Sequence, residues 1–178
     1  MRAAITRAKA ILAQHIAALV CDIDGTLALD TVRRHLRPKA NPHCLAGVGL
    51  EAIQKYMAPE LVSRDRPVTM ADRFIASLAA PRVFIVTARW EPLRSTTRSW
   101  LSRHYPELRY QELLMRPERD ARPSVVVKLD LVLQQCRTGV WLDDDPEMLA
   151  AAERRGFVGL KAPEVFDFWC EVNQHAAV

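Results

Sequence analysis

The chain contains 178 residues, of which 49% are hydrophobic and 26% are charged, and its formal net charge is +4. This composition is ordinary for a soluble globular protein, and the length predicts one domain, 1–178, with its own hydrophobic core. Because no apolar run approaches the ~20 residues that cross a bilayer, we expect no membrane association. The N-terminus lacks the apolar core of a signal peptide, which favours a cytoplasmic location.

Zinc or disulfide chemistry is not indicated by the cysteines. The four cysteines form no CxxC pair and are irregularly spaced: Cys21, Cys44, Cys136 and Cys170. His43 and Cys44 have no second pair at metal-ligand spacing, as a closed four-ligand zinc site requires. We therefore expect neither a structural zinc ion nor a disulfide framework.

Helices and strands are predicted to alternate along the chain. Apolar residues at intervals of three and four predict a helix over 2–17, and a buried strand follows over 18–24. Prolines and glycines interrupt residues 28–70, which we interpret as an insertion or small cap with a short helix at 50–58. The remaining predictions, in order, are helix 71–79, strand 82–89, a helix from Pro92 to 105, strand 109–115, helix 124–136, strand 139–145, helix 146–155, strand 156–160 and a helix after Pro163.

This order predicts an α/β fold, a Rossmann-like doubly wound and mostly parallel sheet with a small insertion after the first strand. Ligands of such sheets bind beyond the carboxyl ends of the strands. Polar residues follow or end three of the predicted strands: Asp22 and Asp24, Thr87 and Arg89, and Asp143 to Asp145. We therefore expect these residues to lie at one edge of the sheet.

Several carboxylates at one place repel each other, so keeping them ionised requires a cation. Oxygen ligands of this kind suit Mg²⁺. A carboxylate beside the metal, such as Asp22, can attack phosphorus and form an aspartyl-phosphate, and one two residues on, Asp24, can transfer the proton. Thr87 offers a hydroxyl to the phosphoryl group. Lys128, the lone lysine in the apolar run "VVVKLDLVL", offers it a positive charge.

The chain resembles the haloacid dehalogenase superfamily of phosphatases in four motifs. The DxDGT motif is present as "DIDGT" at 22–26, and the strand-end threonine is Thr87 in "FIVTAR". The motif lysine matches Lys128, and the paired acids match two of the three in "VWLDDD". Their order holds across roughly residues 18–160, so the resemblance covers most of the chain.

The resemblance implies a role for each matched residue. Asp22 would be the nucleophile and a metal ligand. Asp24 would be the general acid and base, and would bind Mg²⁺ through its backbone carbonyl. Thr87 and Lys128 would bind the phosphoryl group.

The acids at 143–145 leave the register of the fourth motif open. In the usual register Asp144 binds Mg²⁺ and Asp143 supports it, while Asp145 points away or begins the next helix. Thr26, Arg89 and Arg116 are assigned to substrate binding. For the two arginines the reason is that a guanidinium can hold phosphate with two parallel hydrogen bonds.

A narrower resemblance extends to the 3′-phosphatase domain of polynucleotide kinase-phosphatases. It rests on "TAR", "TTRSWL", "LLMRPERDARP" and "WLDDDPEMLAAAERRGF", with Ala88 where glycine is common. No GxxxxGK[ST] phosphate loop is present, so a kinase half is not expected. The resemblance implies that the substrate is a nucleic-acid 3′-phosphate or a nucleotide. Two alternatives stay open: a phosphatase of small metabolites, with 28–70 as its cap, and a non-catalytic binding protein.

Overall fold

The computed structural model describes residues 1–38 and 50–174 of the chain. Its strands are β1 (Ala18–Asp22), β2 (Ala28–Leu29), β3 (Arg66–Pro67), β4 (Val83–Trp90), β5 (Glu112–Arg116), β6 (Gly139–Asp143) and β7 (Phe157–Lys161). Five of them form one parallel sheet in the order β5-β4-β1-β6-β7, while β2 and β3 form an antiparallel pair.

Eight α-helices are found in the described part of the chain, and short 3₁₀ turns lie at Arg34–Leu36 and Glu91–Leu93. The helices are α1 (Arg2–Leu12), α2 (Leu50–Tyr56), α3 (Pro59–Val62), α4 (Ala71–Ser77), α5 (Arg94–His104), α6 (Ser124–Leu133), α7 (Pro146–Glu153) and α8 (Glu164–Gln174). The predicted α/β fold with a parallel sheet and flanking helices is confirmed.

Side chains of the central strand alternate between two apolar layers, as the pleat of a strand requires. Leu19 and Cys21 pack in the layer that contains side chains of α1, α4, α5 and α8. Ala18 and Val20 pack in the layer that contains side chains of α6 and α7. Because β1 is buried on both faces, its sequence is a continuous apolar run rather than an alternating one.

Several predicted boundaries were wrong: the strand predicted to end at 145 ends at Asp143, the helix predicted to end at 136 ends at Leu133, and the strand predicted to begin at 109 begins at Glu112. Two more lie at the start of the chain. The first helix ends at Leu12 instead of residue 17, and Ile16 is 70% exposed rather than on an apolar helix face. The chain needs the intervening residues to turn into β1, as the hydrogen bond from Ala17 N to the Gln14 carbonyl shows. The first strand ends at Asp22 instead of residue 24, because a tight turn follows it.

The described part of the insertion is anchored to the sheet's helices. Val68 N donates to the hydroxyl of Tyr105, which in turn lies 2.7 Å from the Leu27 carbonyl. Trp100 Nε1 donates to the carbonyl of Asp65 at 2.8 Å. Residues 39–49, including the His43–Cys44 pair, lie outside the described residues, and no described helix is long and apolar enough to span a membrane.

Candidate active site

The carboxyl ends of β1, β4 and β6 meet at the middle of the sheet. From β1 the chain passes first to β4 and β5 on one side and then to β6 and β7 on the other, so the topology switches direction beside β1. Asp22 ends β1, Asp143 ends β6, and Thr87 lies near the end of β4. The sheet therefore brings together residues that are distant in sequence, at the place where ligands bind in such folds.

A tight turn after β1 shapes the floor of the site. The Ile23 carbonyl accepts hydrogen bonds from the backbone N–H groups of Leu27 at 2.8 Å and Ala28 at 2.7 Å. Gly25 has φ +94°, and a Cβ at this position would lie 2.2 Å from Asp144 Oδ2. Glycine is thus required here both by the backbone conformation and by the carboxylate that packs on it.

Asp22 is only 1% exposed, and its two oxygens differ in surroundings. Oδ1 lies 2.7 Å from Lys128 Nζ, whereas Oδ2 is buried without a hydrogen-bond partner among the described residues. Burial, and to a lesser extent repulsion from Asp143, raises the pKa of Asp22 well above its usual value despite the nearby ammonium. A buried carboxylate oxygen without a partner is costly, so Asp22 Oδ2 is a candidate ligand atom for a cation.

Lys128 reaches the site from α6 and bridges two strands. Its Nζ lies 2.7 Å from Asp22 and 3.0 Å from Asp143, and these two carboxylates hold its pKa above the usual value although burial opposes this. Trp141 Nε1 also donates to Asp143 Oδ2, at 3.2 Å. Asp143 is therefore fixed by its neighbours, as expected for a residue that supports a ligand site.

Three carboxylates form a cluster that could hold a metal ion: oxygens of Asp22, Asp143 and Asp144 all lie within 4.8 Å of one another. When all are ionised, Lys128 offsets only one of their charges, so the cluster retains a net negative charge. Burial, followed by repulsion from Asp143, raises the pKa of Asp144 to about 6. Carboxylate donors, excess negative charge and the unpartnered Asp22 oxygen all fit a hard divalent cation.

Asp145 faces the next helix. Its side chain accepts a hydrogen bond from Glu147 N at 2.9 Å and caps the N-terminus of α7, while its own N–H donates to Asp143 Oδ1. Of the three consecutive acids, Asp143 and Asp144 belong to the carboxylate cluster with Asp22, and Asp145 caps the helix.

The side chain of Asp24 contacts two arginines and does not belong to the carboxylate cluster of Asp22, Asp143 and Asp144. Arg33 Nη2 lies 2.5 Å from Asp24 Oδ1, and Arg89 donates through Nε at 2.9 Å and Nη2 at 2.8 Å. Burial alone would raise the pKa of Asp24, but these guanidinium groups outweigh it and hold that pKa well below its usual value. Asp24 is therefore ionised in this arrangement.

A bulge in β4 places Arg89. The register with β5 shifts between Thr87 and Trp90, and such a bulge redirects the side chains within it. Thr87 Oγ1 accepts from Arg89 N–H at 3.1 Å and lies 3.3 Å from Asp24 Oδ2. Nη1 of Arg89 is buried without a partner among the described residues.

The remaining predicted substrate contacts are placed differently. Thr26 is buried, and its Oγ1 has no partner among the described residues. Arg116 donates to the carbonyls of Ala88, Asp120 and Arg122 at 3.1, 2.8 and 2.7 Å. In this structure the Arg116 guanidinium thus organises the loop after β5 by contacting backbone carbonyls.

Arg33 and Asp65 contribute to the site although the sequence analysis did not identify them. Both lie in the irregular insertion, where no periodicity distinguishes a buried charge from a solvated one. The only signal in the sequence was that charged residues recur around them, in "TVRRHLR" and "VSRDRP". Their partners, Asp24 and Arg89, belong to other segments of the chain.

Solved structures share this architecture. A chain of the Pnkp1/Rnl/Hen1 complex matches with a TM-score of 0.59 and 21% identity over 83% of this chain and 46% of that one. A haloacid dehalogenase-like hydrolase, SP0104 from Streptococcus pneumoniae, matches with a TM-score of 0.60 and 15% identity over 83% and 84%. L-2-haloacid dehalogenase from Xanthobacter autotrophicus matches with a TM-score of 0.54 and 14% identity over 82% and 77%.

The protein has the haloacid dehalogenase fold. This chain spans about half the length of the Pnkp1/Rnl/Hen1 chain that it matches. No family model matches the sequence, and no curated protein does. Within the haloacid dehalogenase fold, the residues that carry the four-motif resemblance lie together at one edge of the sheet.

Proposed function

We propose that the protein is a Mg²⁺-dependent phosphomonoesterase that forms an aspartyl-phosphate on Asp22. The observation that supports this most directly is the buried Asp22 carboxylate: one oxygen contacts Lys128, and the other is unpartnered beside two further carboxylates. A phosphoryl group is the electrophile that suits a carboxylate nucleophile flanked by a cation and hydroxyl donors.

The donor set fits Mg²⁺. Asp22, Asp144 and Asp143 would hold it, the last two directly or through water, together with the backbone carbonyl of Asp24. When bound, the metal offsets negative charge on the transferring phosphoryl group and orients it. Without the metal, the three carboxylates would repel a phosphate as well as one another.

In the first step an oxygen of Asp22 attacks phosphorus, and the P–O bond to the leaving group breaks. Asp24 gives a proton to the leaving oxygen. In the second step Asp24 takes a proton from water, the resulting hydroxide attacks phosphorus, and the bond to Asp22 breaks to release phosphate. Lys128 and Thr87 would neutralise and orient the phosphoryl oxygens in both steps.

The arginines affect the two roles of Asp24 in opposite ways. Holding the carboxylate ionised suits the second step, in which Asp24 acts as the base. In the first step it must carry a proton, and the negative charges of a bound phosphate group favour this because like charges raise the pKa of a carboxyl group. Binding of the substrate thus shifts the pKa of Asp24 upward, in the direction that proton donation requires.

For the substrate we propose a 3′-phosphate end of nucleic acid or a nucleotide. Arg34 and Arg37, which follow Arg33 in sequence, are 65% and 47% exposed and can meet a polyanion. The structural likeness to chains of the Pnkp1/Rnl/Hen1 complex, an RNA repair complex, supports the same substrate class.

A small phosphorylated metabolite is a second candidate. It is favoured by the reach of the insertion into the site, since Arg33 contacts Asp24 directly. A wall of this kind would enclose a small ester and hinder a polymer.

The test is phosphate release from purified protein with Mg²⁺ or with EDTA. The substrates are an oligonucleotide with a 3′-phosphate, the same oligonucleotide with a 5′-phosphate, and a nucleoside monophosphate. We expect Mg²⁺-dependent release that Asp22→Asn abolishes and that the exposed α8 variant Asp167→Asn keeps. Equal release by wild type and Asp22→Asn would refute the mechanism. Preference for the nucleoside monophosphate would exclude the nucleic-acid end as the substrate and favour a small ester, either a nucleotide or another metabolite.

A further inference from the structure

Asp65 lies outside the four motifs, between α3 and β3, yet it is among the most deeply buried charges of the described residues. The residue is 2% exposed. Arg33 holds it with two donors, Nε at 3.0 Å and Nη2 at 2.8 Å, and Arg89 Nη2 approaches it at 2.8 Å. Trp100 fixes the backbone at the same position.

The same two guanidinium groups hold Asp24. Nη2 of Arg33 contacts Asp24 Oδ1 and Asp65 Oδ2, and Nη2 of Arg89 contacts the same pair of oxygens. Two buried cations and two carboxylates therefore alternate in a closed set with balanced charge. In such a set each partner restricts the others, because a buried charge that loses its partner is strongly disfavoured.

We propose that Asp65 is a positioning residue for the catalytic carboxyl group of Asp24, acting through Arg33 and Arg89. The proposal rests on the proposed function, since it assigns Asp65 to proton transfer in that reaction. Asp65 does not touch the reacting atoms.

The physical role of Asp65 is to balance the second guanidinium. Without it, Arg33 and Arg89 would share one carboxylate and repel each other. Either guanidinium could then turn away, and Asp24 would lose the donors that set its orientation. The Arg33 guanidinium has a second support, since it stacks 4.4 Å from the ring centroid of Tyr56. Loss of Asp65 should therefore misalign Asp24 more than it displaces the whole insertion.

Proton transfer is sensitive to such misalignment. General acid catalysis contributes about 10²–10⁴-fold, and small displacements of a reacting group can remove about 10²-fold. The loss should appear only where the leaving oxygen needs a proton. An alkyl phosphate or nucleoside phosphate needs one, whereas 4-nitrophenyl phosphate has a leaving group that departs as a stable anion.

The test compares kcat/KM for a nucleoside phosphate with kcat/KM for 4-nitrophenyl phosphate. The quantity kcat/KM reports phosphoryl transfer to Asp22 and excludes the later hydrolysis of the phosphorylated enzyme. We expect Asp65→Asn to lower kcat/KM about 10- to 100-fold for the nucleoside phosphate and less than about 3-fold for 4-nitrophenyl phosphate. A burst of 4-nitrophenolate should appear, since misaligned Asp24 also slows hydrolysis of the phosphorylated enzyme. In the Asp24→Asn variant, adding Asp65→Asn should not lower kcat/KM for the nucleoside phosphate any further.

Asp30→Asn is the matched control. Asp30 is also a buried aspartate of the insertion, but its carboxylate pairs with Arg34 and Arg37 rather than with Arg33 or Arg89. The ratio of kcat/KM between the two esters should be the same in Asp30→Asn as in the wild type. If Asp65→Asn does not fold, Arg33→Lys supplies the second variant, because one ammonium cannot reproduce the Nε and Nη2 contacts.

The outcomes separate the two proposals. Suppose that the wild type requires Asp22 for activity and that Asp65→Asn folds. If Asp65→Asn then loses kcat/KM equally on both esters, or on neither, the positioning role is overturned and the phosphatase proposal stands. A wild type that releases no more phosphate than Asp22→Asn would refute the phosphatase itself.

Discussion

Replacing Asp144 by asparagine should stabilise the metal-free protein at neutral pH. The change keeps the shape of the side chain and removes one charge from the cluster with Asp22 and Asp143. Burial and repulsion from Asp143 raise the pKa of Asp144 from 3.8 to about 6. The unfolded chain therefore loses this proton first, and the folded protein is progressively destabilised as the pH rises from 3.8 to about 6.

The size of this destabilisation follows from the difference of about two units between the pKa of Asp144 in the unfolded chain and in the folded protein. At about 1.4 kcal/mol per pH unit this corresponds to about 3 kcal/mol, and solvent screening of a partly buried carboxylate reduces it to about 2 kcal/mol. A protein of this length should then gain roughly 4–8 °C in Tm.

Thermal unfolding measures this directly. In EDTA at neutral pH, Asp144→Asn should melt above the wild type, and the gap should close below about pH 4, where both folded and unfolded chains carry the proton. Mg²⁺ should raise the Tm of the wild type by binding the folded state and should affect the variant little. A variant that is no more stable at neutral pH, or a gap that does not depend on pH, would show that the cluster is not under this repulsion. Asp167→Asn, exposed on α8, is the control.

Three further changes test other contacts. Lys128→Met leaves Asp22 and Asp143 without their shared cation, so phosphate release should fall at least about 100-fold and urea unfolding should show a loss of about 3–5 kcal/mol. Unchanged release would exclude a role for Lys128 in phosphoryl transfer. Gly25→Ala puts a Cβ 2.2 Å from the Asp144 carboxylate at φ +94°, so titration calorimetry should show weaker Mg²⁺ binding than in the wild type. Burial alone would raise the pKa of Asp30, but the hydrogen bond from Tyr56 and the charges of nearby arginines outweigh it and lower that pKa. The wild type should therefore lose stability as the pH falls through the lowered pKa of Asp30. Asp30→Asn should flatten this loss in acid unfolding curves, and an equally steep curve would contradict the contact.

Local sequence patterns were sufficient for the parallel sheet. Strands buried on both faces need continuous apolar runs, and β1, β4 and β6 show them in the sequence itself. Since ligands of such sheets bind at the strand ends, the polar residues there could be grouped from chain order alone. The structure places Asp22, Thr87 and Asp143 at that edge, with Lys128 reaching it from α6.

Boundaries and pairings were harder to predict. The end of α1 at Leu12 depends on the entry of the chain into β1, which helical periodicity does not encode. The orientation of Arg116 toward backbone carbonyls depends on a loop whose path is set by packing. A polar residue near a site can thus serve the loop that borders it as readily as the ligand.

The sequence by itself determined the succession of strands along the chain, the strand-end acids and the fold class, because these follow from local hydrophobic patterns and chain order. Only the tertiary structure decided that Arg33 and Asp65 join Arg89 around Asp24. A charge in an irregular segment favours water unless an opposite charge from elsewhere in the chain reaches it within hydrogen-bond distance, and that meeting is decided by the folded chain alone.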